Sequence, residues 1–256
     1  MSKKLLIFVP VRNLSEILSK TLDKIPLKFR EKISLILIND NNSDLDTKKI
    51  INKYTDKNRF NIKVNFFTKN IGFGGSKKNA YKYAIDNNYD YVICLHGDGQ
   101  YPPEKLEIIY NFLSNEGYDM VQGSRVNYIK GGMPFYKIFA NKVLNFVENL
   151  VFKFEFLEYH SGYRGYSCKA LKKIPLDKLS NSHLITAEIL AIAKIKNFKV
   201  KDFPIDTIYD GDSSSMKFLP ALKYGIYVFY VLINCFLSKY NLNFDPLYNK
   251  YNRDND

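Results

Sequence analysis

A chain of 256 residues, 46% hydrophobic and 25% charged, has the length and composition of a folded protein of one large domain or at most two, which excludes a mainly disordered chain. Lys and Arg number 38 against 26 Asp and Glu, a formal net charge of +12, so nucleotide phosphates, nucleic acid and anionic lipid all come into view as partners, although a coding bias toward Lys gives the same excess. The three cysteines, Cys94, Cys168 and Cys235, lie far apart with no Cys-x-x-Cys spacing, which speaks against structural zinc and for a reducing compartment.

The opening residues imitate the basic and apolar regions of a signal peptide. Their apolar part is short, however, contains Pro10 and runs into Arg12-Asn13 with no small-residue cleavage site, so Leu5–Val11 reads as a strand buried on both faces. A helix follows, with Ser15 as N-cap and Ile17, Leu18, Leu22 and Ile25 at helical spacing before Pro26. Ile33–Ile38 is a second strand ending in the polar turn Asn39-Asp40-Asn41-Asn42-Ser43-Asp44, and Leu45–Tyr54 is helical. Ile62–Phe67 is a third strand; it leads through the glycine-punctuated stretch from Asn70 to Asn79 into a helix carrying Ala80, Tyr83, Ala84 and Ile85. Tyr91–Leu95 is the fourth. Strands alternating with helices imply an α/β domain with a largely parallel sheet, whose ligand sits beyond the carboxyl ends of the strands, where Asn13, Asp40 and Asp98 fall.

After Pro102-Pro103 the spacing predicts a helix over Glu104–Ser114, a strand at Met120–Gly123, a turn at Gly131-Gly132 and a long helix from Pro134 to about Val151. A strand at Gly162–Ser167, a helix over Ala187–Lys196 and a strand at Lys199–Pro204 complete the pattern. The main boundary is placed near residue 215, dividing residues 1–215 from a C-terminal apolar or amphipathic helix and polar tail over 216–256. Within Phe218–Leu237, Lys223 and Asn234 leave an uninterrupted apolar core well short of the roughly 20 residues that span a bilayer. Packing on the domain and lying on a membrane surface both suit such a helix.

The segment richest in chemistry is His96-Gly97-Asp98-Gly99-Gln100-Tyr101-Pro102-Pro103-Glu104. A carboxylate at a strand end can ligate a hard divalent cation that also takes diphosphate oxygens, which makes Asp98 the best metal ligand, with Gln100 adding an oxygen, His96 a nitrogen and Gly97 room for phosphate. The competing reading is an acidic turn capping the next helix. Around Gly72-Phe73-Gly74-Gly75 and Lys77-Lys78, backbone N–H groups at a helix start favour an anion, with Gly74 and Lys78 as candidates, although the spacing fits neither the dinucleotide fingerprint nor the phosphate loop. Arg125, at the end of Gly123-Ser124-Arg125 with Lys130-Gly131-Gly132 just beyond, offers a planar fork for a leaving diphosphate or an acceptor phosphate. His160 and Arg164 form a fourth cluster with Glu188 and the Tyr209–Ser215 stretch; a histidine beside a strand is more often a packing group than a catalyst.

In this order the segments resemble family 2 glycosyltransferases of the GT-A fold, in particular the branch of polyprenyl-phosphate sugar transferases that includes dolichyl-phosphate mannose synthase. The resemblance covers about residues 5–215. Val9-Pro10-Val11-Arg12-Asn13 is similar to the nucleotide-contacting first strand end, and the turn at Asp40 to the aspartate turn that meets the base. His96–Pro103 is similar to the Asp-any-Asp metal motif with its trailing Gln and Pro-Pro, and Gly123–Arg125, His160–Arg164 and Asp212–Ser215 resemble the later signatures. His96 stands where the family has the first aspartate, Arg12 replaces a neutral or aromatic residue, and Leu14 or Ser15 stands near a common Glu.

The resemblance implies a mixed, mostly parallel sheet flanked by helices and metal-dependent, inverting transfer of a sugar from a UDP- or GDP-linked donor. Pro10, Arg12, Asn13, Asp40, Gly74, Lys78 and Gly97 would bind the nucleotide. Asp98, Gln100 and His96 would hold Mg2+ or Mn2+, and Arg125, Arg164 and His160 would take the acceptor or its phosphate. A polyprenyl-phosphate acceptor is already anionic and needs no base; a glycan hydroxyl would need one, and Glu188 is the candidate. The expected place is cytoplasmic, with peripheral contact at the cytoplasmic membrane face. Two other classes compete. A sugar-nucleotide nucleotidyltransferase would carry a glycine-rich basic loop directly after the first strand, which Pro10-Val11-Arg12-Asn13 is not; a nucleic-acid binder would gather its lysines and aromatics, which here are spread along the chain.

Overall fold

The computed structural model describes residues 3–14, 16–55, 61–126, 135–207 and 218–249. Seven strands, β1 (Leu5–Val11), β2 (Ile33–Asp40), β3 (Ile62–Phe66), β4 (Tyr91–Cys94), β5 (Met120–Arg125), β6 (Arg164–Ser167) and β7 (Val200–Ile205), form one sheet in the order β3-β2-β1-β4-β6-β5-β7. Neighbours pair in parallel except β6, which runs antiparallel to both β4 and β5.

Apolar residues on both faces of the central strands create two cores, one on each side of the sheet. From β1, Leu5, Ile7, Val9 and Val11 pack with α1 (Ile17–Asp23), α3 (Leu45–Thr55) and α5 (Leu106–Ser114), and the short α2 (Leu27–Arg30) adds Phe29 to the same core. Leu6 and Phe8 enter the opposite core, which is built by α4 (Gly72–Asp86), α6 (Phe135–Phe152), α7 (Cys168–Leu171), α8 (Ile185–Ile195) and α9 (Phe218–Ser238). All residues from Ile185 to Ala193 in α8 are buried, because α9 covers it with Val228, Val231, Leu232 and Cys235.

The expected elements occur in the expected order with small shifts of their ends. The helix after Pro102 opens with a single 3-10 turn at Pro103–Lys105, and Gly162 and Tyr163 precede β6 instead of belonging to it. The Ser15 cap, the Gly131-Gly132 turn, Lys130, the boundary at 215 and the Tyr209–Ser215 stretch lie outside the described residues. Beyond that boundary, α9 is packed against α8 and α6 and shares their core.

Candidate active site

From β1 the chain moves outward through β2 to β3 and then returns to β4 on the other side of β1. This makes the β1/β4 edge the switch point at which open α/β sheets bind ligands. Val11 pairs with Asp40 and Phe8 with Cys94, so the loops after β1, β2 and β4 meet there. Asn13 takes a left-handed φ of 49°, which asparagine tolerates, and ties two of these loops together. Its N–H donates to Ser43 Oγ at 2.9 Å, and its Oδ1 accepts the Asp44 N–H at 3.1 Å. Asp44 in turn accepts the Thr47 N–H at 2.8 Å at the start of α3, and the bonds from Thr47 hold its carboxyl below the ordinary value. Pro10 is half-buried at the strand end and Arg12 is exposed at the rim.

Asp40 was expected at the nucleotide, but it has no exposed surface. Its carboxylate accepts the Ser43 N–H at 3.3 and 3.4 Å and shapes the turn from beneath. Asn41 links the same turn to the loop after β3: its Nδ2 donates to Asn70 Oδ1 and its Oδ1 accepts the Ile71 N–H, each at 2.8 Å. Below them Asn39, Asn65 and Asn79 form a chain of side-chain amides. Beyond the turn-forming tendency of asparagine, this network has no signature in the sequence.

Asp98 follows β4 after a close approach to α1, where a Cβ on Gly97 would stand 2.9 Å from Leu18 Cδ1. Gly99 has φ +72°, and Asp98 Oδ1 accepts the Gln100 N–H at 3.1 Å. Burial raises the Asp98 pKa. His96 lies edge-on to Tyr101, with ring centroids 4.9 Å apart, and to Phe73 at 5.6 Å. Its Nε2 is buried without a hydrogen bond against Gly162, where a Cβ would come within 2.5 Å. Burial, then the charges of Lys77, His183 and Arg125, push its pKa down to about 3, so the ring is neutral. Gly162 packs against Nε2, which leaves Nδ1 as the nitrogen through which His96 could reach an ion. Among the described residues no group of three or more His, Cys, Asp or Glu converges on a metal position. A lone strand-end carboxylate suits an ion that takes its remaining ligands from phosphate oxygens and water, as Mg2+ characteristically does, and does not suit a preformed cage.

At the amino end of α4 three N–H groups already have partners within the protein. Gly74 and Gly75 donate their N–H groups to Asn181 O at 2.8 and 3.3 Å, and Gly72 donates to Asn70 Oδ1 at 2.9 Å. A Cβ on Gly74 would stand 2.2 Å from Ser180 O. Lys78 Nζ donates to Leu179 O at 2.7 Å. Gly74 and Lys78, expected at the nucleotide, thus seat the 179–183 loop on the helix instead. Glu188 belongs to the same junction: it is 3% exposed, accepts the Ser180 N–H at 2.8 Å and has a pKa raised by burial. An open pocket of about 520 Å3 lined by Lys69, Asn70, Ile71, Gly72, Asn181 and Ser182 opens on this flank of α4. Lys77 points inward. It is 1% exposed, its Nζ lies 4.4 Å from the Phe73 ring centroid, and burial lowers its pKa to about 8. Phe73 stacks on His183 at 4.5 Å, so Lys77 reaches the underside of an aromatic wall that also includes His96.

Arg125, at the carboxyl end of β5, is oriented by Glu158. This buried carboxylate accepts the Arg125 backbone N–H at 3.0 Å, Nε at 2.9 Å, and a close bond from the guanidinium NH2. Glu158 was not singled out in the sequence; an acidic residue six positions before the Arg164 of the Ser-Gly-Tyr-Arg segment is the signal that was there. Arg164 itself is fully buried and donates to Gln122 Oε1 at 2.6 Å, Tyr159 O at 2.6 Å and Thr186 O at 3.2 Å. Its expected phosphate role is corrected to that of an internal strut. His160 is held between helices, with Nδ1 3.2 Å from Tyr224 Oη of α9 and Nε2 3.2 Å from Glu148 Oε2 of α6. That placement ties α6 to α9 and does not present the ring to an acceptor. Tyr101 completes the wall, accepting the Gly162 N–H at 3.0 Å on its hydroxyl and stacking on Tyr163 at 5.3 Å.

A family model described as glycosyl transferase family 2 matches residues 6–175. Among curated proteins the chain is 35% identical over 149 residues to an uncharacterised protein of Methanocaldococcus jannaschii, covering 57% of this chain and 61% of that one, less than two thirds of its length. It is 28% identical over 172 residues to a UDP-N-acetylglucosamine–dolichyl-phosphate N-acetylglucosaminyltransferase of Methanococcus voltae, covering 66% and 68%. Among solved structures, glucosyl-3-phosphoglycerate synthase from Mycobacterium tuberculosis, in complex with Mn2+ and UDP-glucose, superposes with a TM-score of 0.66 at 11% identity, over 91% of this chain and 79% of that one. Its complex with Mn2+, UDP and phosphoglyceric acid gives 0.65 at 12% identity, over 91% and 78%. At such identities the likeness is one of fold, and the fold is GT-A.

Proposed function

Because the chain belongs to glycosyl transferase family 2, we propose that it transfers a sugar from a UDP-linked donor to the phosphate of a polyprenyl lipid, with inversion. The observation that carries this reading is the placement of Asp98 and the Glu158-oriented Arg125 fork on one edge of the sheet. The loops of Asn13 and Ser43 would cradle the nucleotide, and the diphosphate would lie toward Asp98. Mg2+ or Mn2+, when bound at Asp98, would supply Lewis-acid neutralisation of the leaving diphosphate. Arg125 would hold the acceptor phosphate in line with the anomeric carbon, since a guanidinium grips phosphate oxygens through parallel hydrogen bonds. A phosphate monoester is already anionic at neutral pH, so no base is required. That suits the position of Glu188, which is bonded to the Ser180 amide under a loop, and it makes a base role for Glu188 the weaker reading. The donor and acceptor classes are supported by the name of the M. voltae relative.

The test is thermal stabilisation by UDP, GDP and dTDP, each with Mg2+ or Mn2+, on the wild type and Asp98→Ala, followed by transfer to polyprenyl phosphate or polyprenol. We expect metal-dependent stabilisation by UDP that is lost in Asp98→Ala, with turnover on the phosphate acceptor reduced at least about a hundredfold in that variant. The raised pKa of Asp98 places the loss of nucleotide binding on acidification above the range of an exposed aspartate, because the carboxylate must be ionised to act. A wild type that responds to no nucleotide, or a variant that responds equally, overturns the Asp98 site. Preference for the alcohol overturns the acceptor.

A further inference from the structure

The outer sides of α6 and α9 are apolar where a free surface would be polar. Along α9, Leu222, Ile226, Phe229, Ile233 and Phe236 are each 43–63% exposed and recur at helical spacing over a rise of about 21 Å, opposite the buried Val228, Val231, Leu232 and Cys235. Tyr240, Leu242 and Phe244 extend the exposed set beyond the helix end. The adjoining α6 adds Val143, Phe146 and Leu150, also exposed and one helical face apart. Large apolar side chains exposed in rows on two packed helices, and not scattered singly, mark an interaction surface.

The charges bordering the patch decide its partner. Over the described side chains of α6 and α9, the exposed charged residues are Lys142 and Lys223, and Lys239 follows α9 directly. The acid within these stretches, Glu148, has no exposed surface and faces His160. Residues 218–244 contain no Asp or Glu; Asp245 follows, accepting the Tyr230 hydroxyl at 3.3 Å, and beyond α6 Lys153 and Glu155 are exposed and offset each other, so Lys142, Lys223 and Lys239 leave the border net positive. Tyr227, Tyr230 and Tyr240 are exposed as well, and amphipathic rings of this kind prefer the headgroup level of a bilayer. No described helix is long and apolar enough to cross a membrane. We propose that the α6–α9 face docks on an anionic lipid surface, with the α9 stripe entering the headgroup–acyl boundary and Lys142, Lys223 and Lys239 meeting lipid phosphates. A second copy of the chain fits this face less well, because antiparallel pairing of α9 on α9 would set Lys223 against Lys239.

Flotation of the full chain with phosphatidylcholine vesicles, with and without phosphatidylglycerol, tests the docking face. The wild type should float with the anionic vesicles, and should do so less as salt is raised. Phe229→Ser/Ile233→Ser/Phe236→Ser should lose at least about tenfold of this binding, and Lys223→Glu/Lys239→Glu a comparable factor. Both variants should retain the melting temperature of the wild type and its shift with UDP and metal, a readout that separates this idea from the proposed chemistry. A wild type that stays with the soluble fraction on both vesicles, or variants that float as it does, overturns the proposal. A dimer in light scattering that the serine variant alone dissociates, without vesicle binding, assigns the face to a second copy and overturns it equally.

Discussion

Lys77 shows what a single side chain can reveal when its burial conflicts with its chemistry. A lysine with 1% exposure and a pKa lowered to about 8 is held in the folded state against its preference for charge in water. In the unfolded chain it stays protonated up to about 10.5, so between about 8 and 10.5 the unfolded state binds more protons and stability rises with pH. Below pH 8 the burial costs up to about 3 kcal/mol. Lys77→Met should therefore stabilise the protein by an amount approaching that figure at pH 7. The gain should shrink toward pH 10, which denaturant unfolding at several pH values would measure. A buried lysine beneath the wall of Phe73 and His96 is a stability sacrifice of the kind found at functional sites, so we expect the same substitution to lower the transfer rate. Unchanged turnover would make Lys77 a tolerated packing group only.

At the scale of elements, the junction of α4 with the 179–183 loop carries more than the glycine pattern indicated. Glycine-rich helix starts usually leave N–H groups for a ligand, yet here Asn181 O occupies them. The approach leaves no room for a side chain at Gly74, whose Cβ would meet the backbone oxygen of Ser180 at 2.2 Å. Gly74→Ala should displace the loop, costing about 1–3 kcal/mol of stability, and disturb the Phe73–His183 stack. Thermal melts and nucleotide titration would detect the two effects separately. The other element whose sequence misled is α9. Asn234 reads as a polar break in an apolar run, but its buried Oδ1 accepts the N–H groups of Phe244 and Asp245 at 2.9 and 3.0 Å and turns the chain back after the helix.

Across the whole molecule, what the sequence made legible was what local pattern controls. Apolar runs such as Leu5–Val11 and Ile33–Ile38 announced central strands because both faces of this sheet are covered, and the strand-end position of Asp98 followed. Which partners Arg125 and Arg164 would take was not legible, even with Glu158 lying close before Arg164, because the pairing arises from the reversal of β6, a long-range arrangement with no periodic signature. Two arginines of equal sequence promise thus divided, one at the edge and one inside. The Glu158 contact carries a testable energy. Arg125→Ala should destabilise by about 3–5 kcal/mol by leaving a buried carboxylate unpaired, and Arg125→Ala/Glu158→Ala should recover part of that loss while transfer stays defective.

The antiparallel direction of β6 has one further effect. Parallel strands deliver only their carboxyl ends to the ligand edge, whereas β6, set between β4 and β5, delivers its amino end there. The residues leading into it, Glu158 through Tyr163, therefore grip Arg125 on one side and Tyr101 and His96 on the other. On the proposed reading, the donor and acceptor halves would thereby be set by one short segment. A one-residue slip of β6 would shift Arg125's partner and the His96–Tyr101 wall at once, so on the proposed reading the spacing between the two substrates would be inherited as a single trait and not adjusted half by half.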